Sequence, residues 1–269
     1  MVKFSANIST LYTELPFLDR FSAAKEDGFD AVEFWFPYEH SIQTIRTILA
    51  DNELELVGMN SHSGDEGDWG LAAVPGREAD FANTIEQAVE YAGALGSRGL
   101  HVMAGLVGDH SRELVDATYL NNLERALRLV EKTDVTMLIE PLNSVDRPTY
   151  WLTKTSAAAD YIRRLGSDNV KIMFDCYHVH TEERAIVENF ERHRDSIGHI
   201  QVASFPGRNE LDRGEVNYAE MFKLFEQHGW DGWVGLEYFP KAGTREGFGW
   251  LRRYESEGVT LADDNSASA

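Results

Sequence analysis

The segments TMLIE, residues Thr136–Glu140, and KIMFD, residues Lys171–Asp175, decide how this chain is built. Each is a short apolar run, suited to a buried strand, that closes on a carboxylate. The pattern returns further along: GHIQ ends on Gln201, with Val202 and Ala203 beyond it, and WVGLE ends on Glu237. An ionised carboxyl in apolar surroundings is costly to bury unless something positive compensates it. One such acid is readily explained as a cap on the following helix or as half of an ion pair. Four oxygen-bearing side chains on consecutive strand ends require a common site. The parallel strands of a closed α/β barrel point all their C-terminal ends at one mouth, where such side chains converge. An open doubly wound sheet yields much the same alternation of strands and helices. The strand ends, and not the alternation, therefore favour a (β/α)8, or TIM, barrel.

Outward from these segments the alternation covers nearly the whole chain. Strands are expected at Lys3–Ala6, Ala31–Phe34, Glu55–Met59, Gly99–Met103, Thr136–Glu140, Lys171–Asp175, His199–Val202 and Val234–Glu237. Amphipathic segments lie between them; in Thr118–Thr133, Leu120, Leu123, Leu127 and Val130 recur at i+3 and i+4 and define one apolar face. Gly28, Gly96, Gly166 and Gly229 each follow such a segment, where a glycine can end a helix in the left-handed conformation. A length of 269 residues suits one barrel of about 250 residues. No Pro/Gly/Ser-rich linker divides it. The expectation is a single domain over residues 1–258 followed by a disordered polar tail over 259–269.

Composition narrows the function. A hydrophobic content of 43% supports a substantial core, and no apolar run approaches the ~18 residues of a membrane span. Met1–Asn7 lacks the basic segment, apolar stretch and cleavage site of a signal peptide, so a cytoplasmic location is expected. With 45 acidic against 25 basic residues the net charge is -20, which repels phosphate backbones and argues against a nucleic-acid partner. The single cysteine, Cys176, cannot form an intrachain disulfide and reads as a packing residue. Homo-oligomerisation is left open.

The strand-end residues also suggest chemistry. Glu140, Asp175, Gln201 and Glu237 offer only oxygens, a donor set that suits Mg2+ or Mn2+ better than Zn2+ or Cu2+. Two glutamates on opposite sides of a substrate can remove a proton from one carbon and return it to the next. A divalent metal would stabilise the charge of the intermediate enediolate. His178, three residues after Asp175, is placed to bind a hydroxyl or carbonyl oxygen, with His180 as the alternative two residues on. Arg208, seven residues after Gln201, is placed to hold a substrate carboxylate through paired hydrogen bonds, although a loop arginine is more often half of a surface ion pair. The expected partner is a small anionic substrate.

The ordered motifs KFSANIS, GFDAVEFWFPY, DWGLAAVPGRE, LIEPLN, FDCYH, GHIQVASFPGR, GEVNY and GWVGLEY span nearly all of the chain before the tail. In these the chain resembles the hydroxypyruvate isomerase family, within the xylose-isomerase-like barrels that also include ketose epimerases and endonuclease IV. The resemblance implies interconversion of hydroxypyruvate and tartronate semialdehyde with no organic cofactor. It implies Glu140, Asp175, Gln201 and Glu237 as metal ligands, Glu140 and Glu237 as the proton-transferring pair, and His178 and Arg208 as substrate contacts. NSHSGDEGDW, residues Asn60 to Trp69, matches the family loosely, and NELDRGEVNY lacks a proline expected soon after Glu210. Both departures concern the substrate and keep a 2-oxo-tetronate isomerase or a ketose 3-epimerase as alternatives. An endonuclease IV-like enzyme is a remote one: it needs a histidine-rich zinc cluster and a basic groove.

Overall fold

The computed structural model describes residues 2–255, with the side chains of residues 252, 253 and 255 left aside. The expected polar tail over 259–269 lies outside the described residues. Eight parallel strands, β1 (Lys3–Asn7), β2 (Ala31–Phe34), β3 (Glu55–Asn60), β4 (Gly99–His101), β5 (Thr136–Ile139), β6 (Val170–Asp175), β7 (Ile197–Val202) and β8 (Trp233–Leu236), close into one barrel in chain order. Closure is made by β1 against β8, with Lys3 opposite Trp233 and Ala6 opposite Leu236. Helices cover the outside, so the strands are buried on both faces and read as nearly continuous apolar runs. Every residue of β2, β4 and β8 is buried. The TIM barrel expected from the strand ends is the fold observed.

The outer layer contains α1 (Arg20–Glu26), α2 (Ile42–Asp51), α3 (Glu78–Leu95), α4 (Arg112–Val130), α5 (Thr155–Leu165), α6 (Cys176–Glu183), α7 (Ile186–His193), α8 (Tyr218–Gln227), α9 (Thr244–Gly247) and α10 (Gly249–Glu255). Periodicity placed the start of α4 too late. Ser111 caps it, its Oγ accepting the N–H of Leu114, and the polar first turn precedes the apolar stripe. Gly96 and Gly166 end α3 and α5 in the left-handed region, at φ 67° and 63°. Cys176 is buried at the start of α6. Among the described residues no helix is long and apolar enough to cross a membrane.

Three strands end earlier than expected. β4 stops at His101 because the N–H of Met103 turns to Ser61 Oγ and leaves the ladder. Glu140 and Glu237 stand one residue past β5 and β8. Both acids therefore begin loops at the C-terminal mouth, where the side chain is free of sheet packing.

Candidate active site

Asp175 ends β6 and caps α6, its Oδ1 accepting the N–H of Tyr177 at 2.8 Å. Capping uses one oxygen and leaves the other for the barrel mouth. Oδ2 lies 3.0 Å from Arg208 Nη2 and 3.6 Å from His178 Nε2. His178 is thereby the third residue of a helix and not a loop residue. Glu140, Asp175 and His178 present ligand atoms within 4.8 Å of one another. Arg208 Nη2 also donates to Glu237 Oε1, and Gln201 Nε2 donates to Glu237 Oε2. All six residues singled out in the sequence meet at one mouth. Four of them, Glu140, His178, Arg208 and Glu237, line one cavity. His180 points elsewhere, its Nε2 3.2 Å from Glu215 Oε2.

The environment of His178 fixes its proton. The backbone N–H of Asn143, which can only donate, points at His178 Nδ1 at 3.2 Å. Nδ1 is therefore the acceptor, and a neutral ring carries its hydrogen on Nε2. Burial, and then the charges of Arg208 and Arg147, press the His178 pKa well below the usual range and keep the ring neutral. His178 is arranged as a hydrogen-bond donor; binding a metal through Nε2 would require the opposite tautomer.

Arg208 adopts a left-handed backbone, φ 54°, that costs a non-glycine residue energy. The loop holds it there: its N–H donates to Ser204 O at 2.9 Å and its carbonyl accepts from Phe239 N–H at 2.8 Å. The guanidinium is thus fixed between Asp175 and Glu237.

Charge is under-compensated at this mouth. Glu140 Oε1 is buried without a hydrogen-bond partner, and Oε2 lies 3.3 Å from His101 Nδ1. Burial, followed by the charges of Glu237 and Asp175, raises the Glu140 pKa well above the ordinary carboxylate range. Burial also raises Asp175 against the pull of Arg208. Glu237 is pushed up to about 8 by burial, with Arg208 opposing and Asp175 and Glu33 adding. Gln201 spends its Nε2 on Glu33 Oε1, at 2.7 Å, and on Glu237, leaving a buried Oε1 with no partner. The orphaned oxygens of Glu140 and Gln201 are hard donors of the kind Mg2+ or Mn2+ favours, and Glu140, Asp175 and His178 bring ligand atoms close enough together to hold a cation. The residues fit a divalent cation.

Beneath the mouth lies a polar layer that the sequence reading missed. Glu33 on β2 is buried; its Oε2 meets His199 Nε2 at 2.6 Å and Ser5 Oγ at 3.2 Å. Asn7 Nδ2 donates to Glu33 Oε1 at 3.1 Å and to Glu237 Oε2 at 2.9 Å. Asn7 and Gln201 therefore each bridge Glu33 to Glu237. Burial works against ionisation of Glu33, but His199 and the two amides outweigh it and hold its pKa below the ordinary value. Gly235 makes the room, since a Cβ there would come within 2.5 Å of both Glu33 oxygens. The available signal was an acid interrupting the apolar strand AVEF; Glu33 escaped because Phe34, Trp35 and Phe36 follow it and it does not close the strand. His101, at the end of β4, was missed similarly, as were Arg147 and Trp69 on the loops lining the cavity.

Comparison with known proteins identifies the family. The family model for the xylose isomerase-like TIM barrel matches residues 21–254. Over 257 residues the chain is 47% identical to a protein of Cupriavidus necator named 2-oxo-tetronate isomerase, covering 94% of this chain and 99% of that one. It is 39% identical to the hydroxypyruvate isomerase of Escherichia coli, covering 94% and 100%. A crystal structure from Brucella melitensis described as AP endonuclease, family 2, superposes with a TM-score of 0.91 at 36% identity, covering 94% and 99%.

Proposed function

Because the chain belongs to the xylose isomerase-like TIM barrel family and is an isomerase of the hydroxypyruvate isomerase type, we propose that it interconverts a short 2-oxo-3-hydroxy acid and its 3-oxo-2-hydroxy isomer. The substrate is hydroxypyruvate, giving tartronate semialdehyde, or its four-carbon homologue, a 2-oxo-tetronate. Both have a carboxylate, a C2 carbonyl and a C3 hydroxyl; they differ by a hydrogen or a hydroxymethyl group on C3. One proton transfer between C3 and C2 serves either.

The observation that carries this reading is the pair Glu140 and Glu237, buried in one cavity with unlike neighbours. Glu237 receives hydrogen bonds from Asn7, Gln201 and Arg208, all of which stabilise its anion. It takes the proton from C3. Glu140, without such donors, is the partner whose carboxyl delivers a proton to C2. The hydroxyl hydrogen passes from the C3 oxygen to the C2 oxygen, and the two glutamates have exchanged protonation states. His178 Nε2–H steadies a substrate oxygen, and Arg208 holds Glu237 and Asp175 in place with its Nε left for a substrate oxygen. A divalent cation held by Glu140, Asp175, Gln201 and Glu237 would supply positive charge for the two oxygens of the enediolate.

The test is a turnover panel with Mg2+ and Mn2+ against hydroxypyruvate, 2-oxo-tetronates, common ketoses and a DNA duplex containing an abasic site. At least one acid should exceed every ketose in kcat/KM by about tenfold or more, the weight of a carboxylate contact. A better ketose would replace this reading with a 3-epimerase. Duplex nicking would favour the function named for the Brucella protein, which a chain of net charge -20 is poorly suited to perform.

The metal assignment makes a separate prediction. Asp175→Ala and Gln201→Ala should weaken Mn2+ binding by titration calorimetry at least about tenfold, and excess Mn2+ should partly restore turnover. Unchanged affinity would remove either residue from the ligand set. Protons compete for the same oxygens. Because folding raises the pKa of Glu140, Asp175 and Glu237, their stabilising contribution is complete below the unfolded carboxylate range, about 4, and is lost as pH climbs through the raised values. The rise in Tm given by Mn2+ should therefore be larger near pH 8 than near pH 5.5. A rise independent of pH would place the cation elsewhere.

A further inference from the structure

We infer that Arg147, lying against Trp69 in the cavity wall, is the residue that receives the substrate carboxylate, and that it makes the cavity selective for acids over neutral ketoses. The inference rests on the isomerase reading above and deepens it. A guanidinium grips a carboxylate by presenting two N–H groups on one edge, and both available edges include Nη2. In Arg208 that nitrogen is committed to Asp175 and Glu237. Arg208 therefore has no free fork while it holds those acids.

Arg147 does. Its Nη1 donates to Asp146 O at 2.7 Å, whereas Nε is buried without a partner and, among the described residues, Nη2 makes no hydrogen bond. The edge from Nε to Nη2 is open. Asp146, next in sequence, turns its Oδ2 to Asn143 Nδ2 at 3.0 Å and to Tyr177 OH at 2.9 Å and makes no side-chain hydrogen bond to Arg147, although its charge acts on it. The guanidinium carbon lies 3.4 Å from the centre of the Trp69 ring. Such a contact holds the cation on the ring face and leaves its edge free.

Trp69 is itself anchored. The next residue, Gly70, donates its N–H to Ser63 O at 2.6 Å and bridges to Ala104. At φ 107°, a Cβ on Gly70 would lie 2.4 Å from Met103 O, so only glycine permits this approach. Arg147 and Trp69 line the same cavity as Glu140, His178 and Glu237. The charge of Arg147 is felt at His178, and that of Arg208 at Arg147. An anionic group is drawn to the space these cations share.

The experiment compares wild type, Arg147→Met and Arg147→Lys at saturating Mn2+. Hydroxypyruvate and the 2-oxo-tetronates are the substrates, and dihydroxyacetone, which replaces the carboxylate of hydroxypyruvate with a hydroxymethyl group, is the neutral inhibitor. Arg147→Met should raise KM for the acid that is turned over by roughly ten- to hundredfold while kcat changes less, and should leave dihydroxyacetone inhibition unaltered. Arg147→Lys should fall between, keeping the charge without the fork. An unaltered KM overturns the inference, as does an equal loss against dihydroxyacetone, which would make Arg147 a wall and not a reader of charge. If wild type turns over no acid, the isomerase reading falls instead. Hydroxypyruvate binding by calorimetry to wild type and Arg147→Met then decides Arg147 by itself: weaker binding to the variant supports it and equal binding overturns it.

Discussion

Replacing Glu140 or Glu237 with glutamine will lower turnover of the preferred hydroxy-keto acid by at least about two orders of magnitude, the usual weight of a general acid or base. The barrel should remain folded, because glutamine keeps the size of the side chain and removes only the group that titrates. Both glutamates are also proposed metal ligands, so turnover must be measured at saturating Mn2+ to separate lost chemistry from lost metal. The two variants should fail differently. Glu237 takes the proton from C3, so in deuterated solvent Glu237→Gln should stop exchange of the C3 hydrogen, followed by NMR. Glu140 acts afterwards, so Glu140→Gln should retain some exchange while product formation stops. Glutamine at 237 also turns an amide toward donors on Asn7, Gln201 and Arg208, all of which now meet carboxylate oxygens. That variant should lose some thermal stability as well. Turnover within about threefold of wild type in either variant would sink the two-glutamate mechanism.

Glu140, Asp175, Gln201 and Glu237 were legible because parallel strands of a barrel share a polarity: a polar residue closing an apolar strand is at the mouth wherever that strand sits. Position along a strand carries this information without any knowledge of side-chain contacts. Glu33 shows where the rule stops. It lies inside AVEF and points into the barrel beneath the mouth, and only the opposing Gly235 on β8, far away in sequence, gives it room. His199 and Asn7, which hold it, come from β7 and β1. No local spacing links these three. Arg147 was hidden for another reason. Its loop joins β5 to α5, and the direction of a loop side chain depends on Trp69, which a different loop supplies. Arg208 was found by its place after Gln201, but the Nη2 contacts that occupy its fork depend on a backbone angle that sequence spacing does not encode.

Those contacts give Arg208 an effect on the chemistry that its place seven residues after Gln201 does not suggest. Arg208→Ala should lower kcat by roughly two orders of magnitude, comparable to the loss of the glutamates, because it frees Glu237 and removes the guanidinium that holds it against Asp175. It should also move the pH profile. Burial raises the Glu237 pKa and Arg208 is the first charge opposing that rise, so removing the guanidinium raises it further. The base must be ionised to accept the C3 proton, and a higher pKa means that ionisation is reached at higher pH. The acidic limb of kcat/KM should therefore shift upward in Arg208→Ala, and less in Arg208→Lys, where a single ammonium keeps the charge but cannot reproduce the planar fork. KM for the acid should change less than kcat, the reverse of the pattern expected for Arg147→Met. If Arg208→Ala instead raised KM strongly and left kcat and the acidic limb in place, Arg208 would be the carboxylate partner. The carboxylate role inferred for Arg147 would then pass to Arg208.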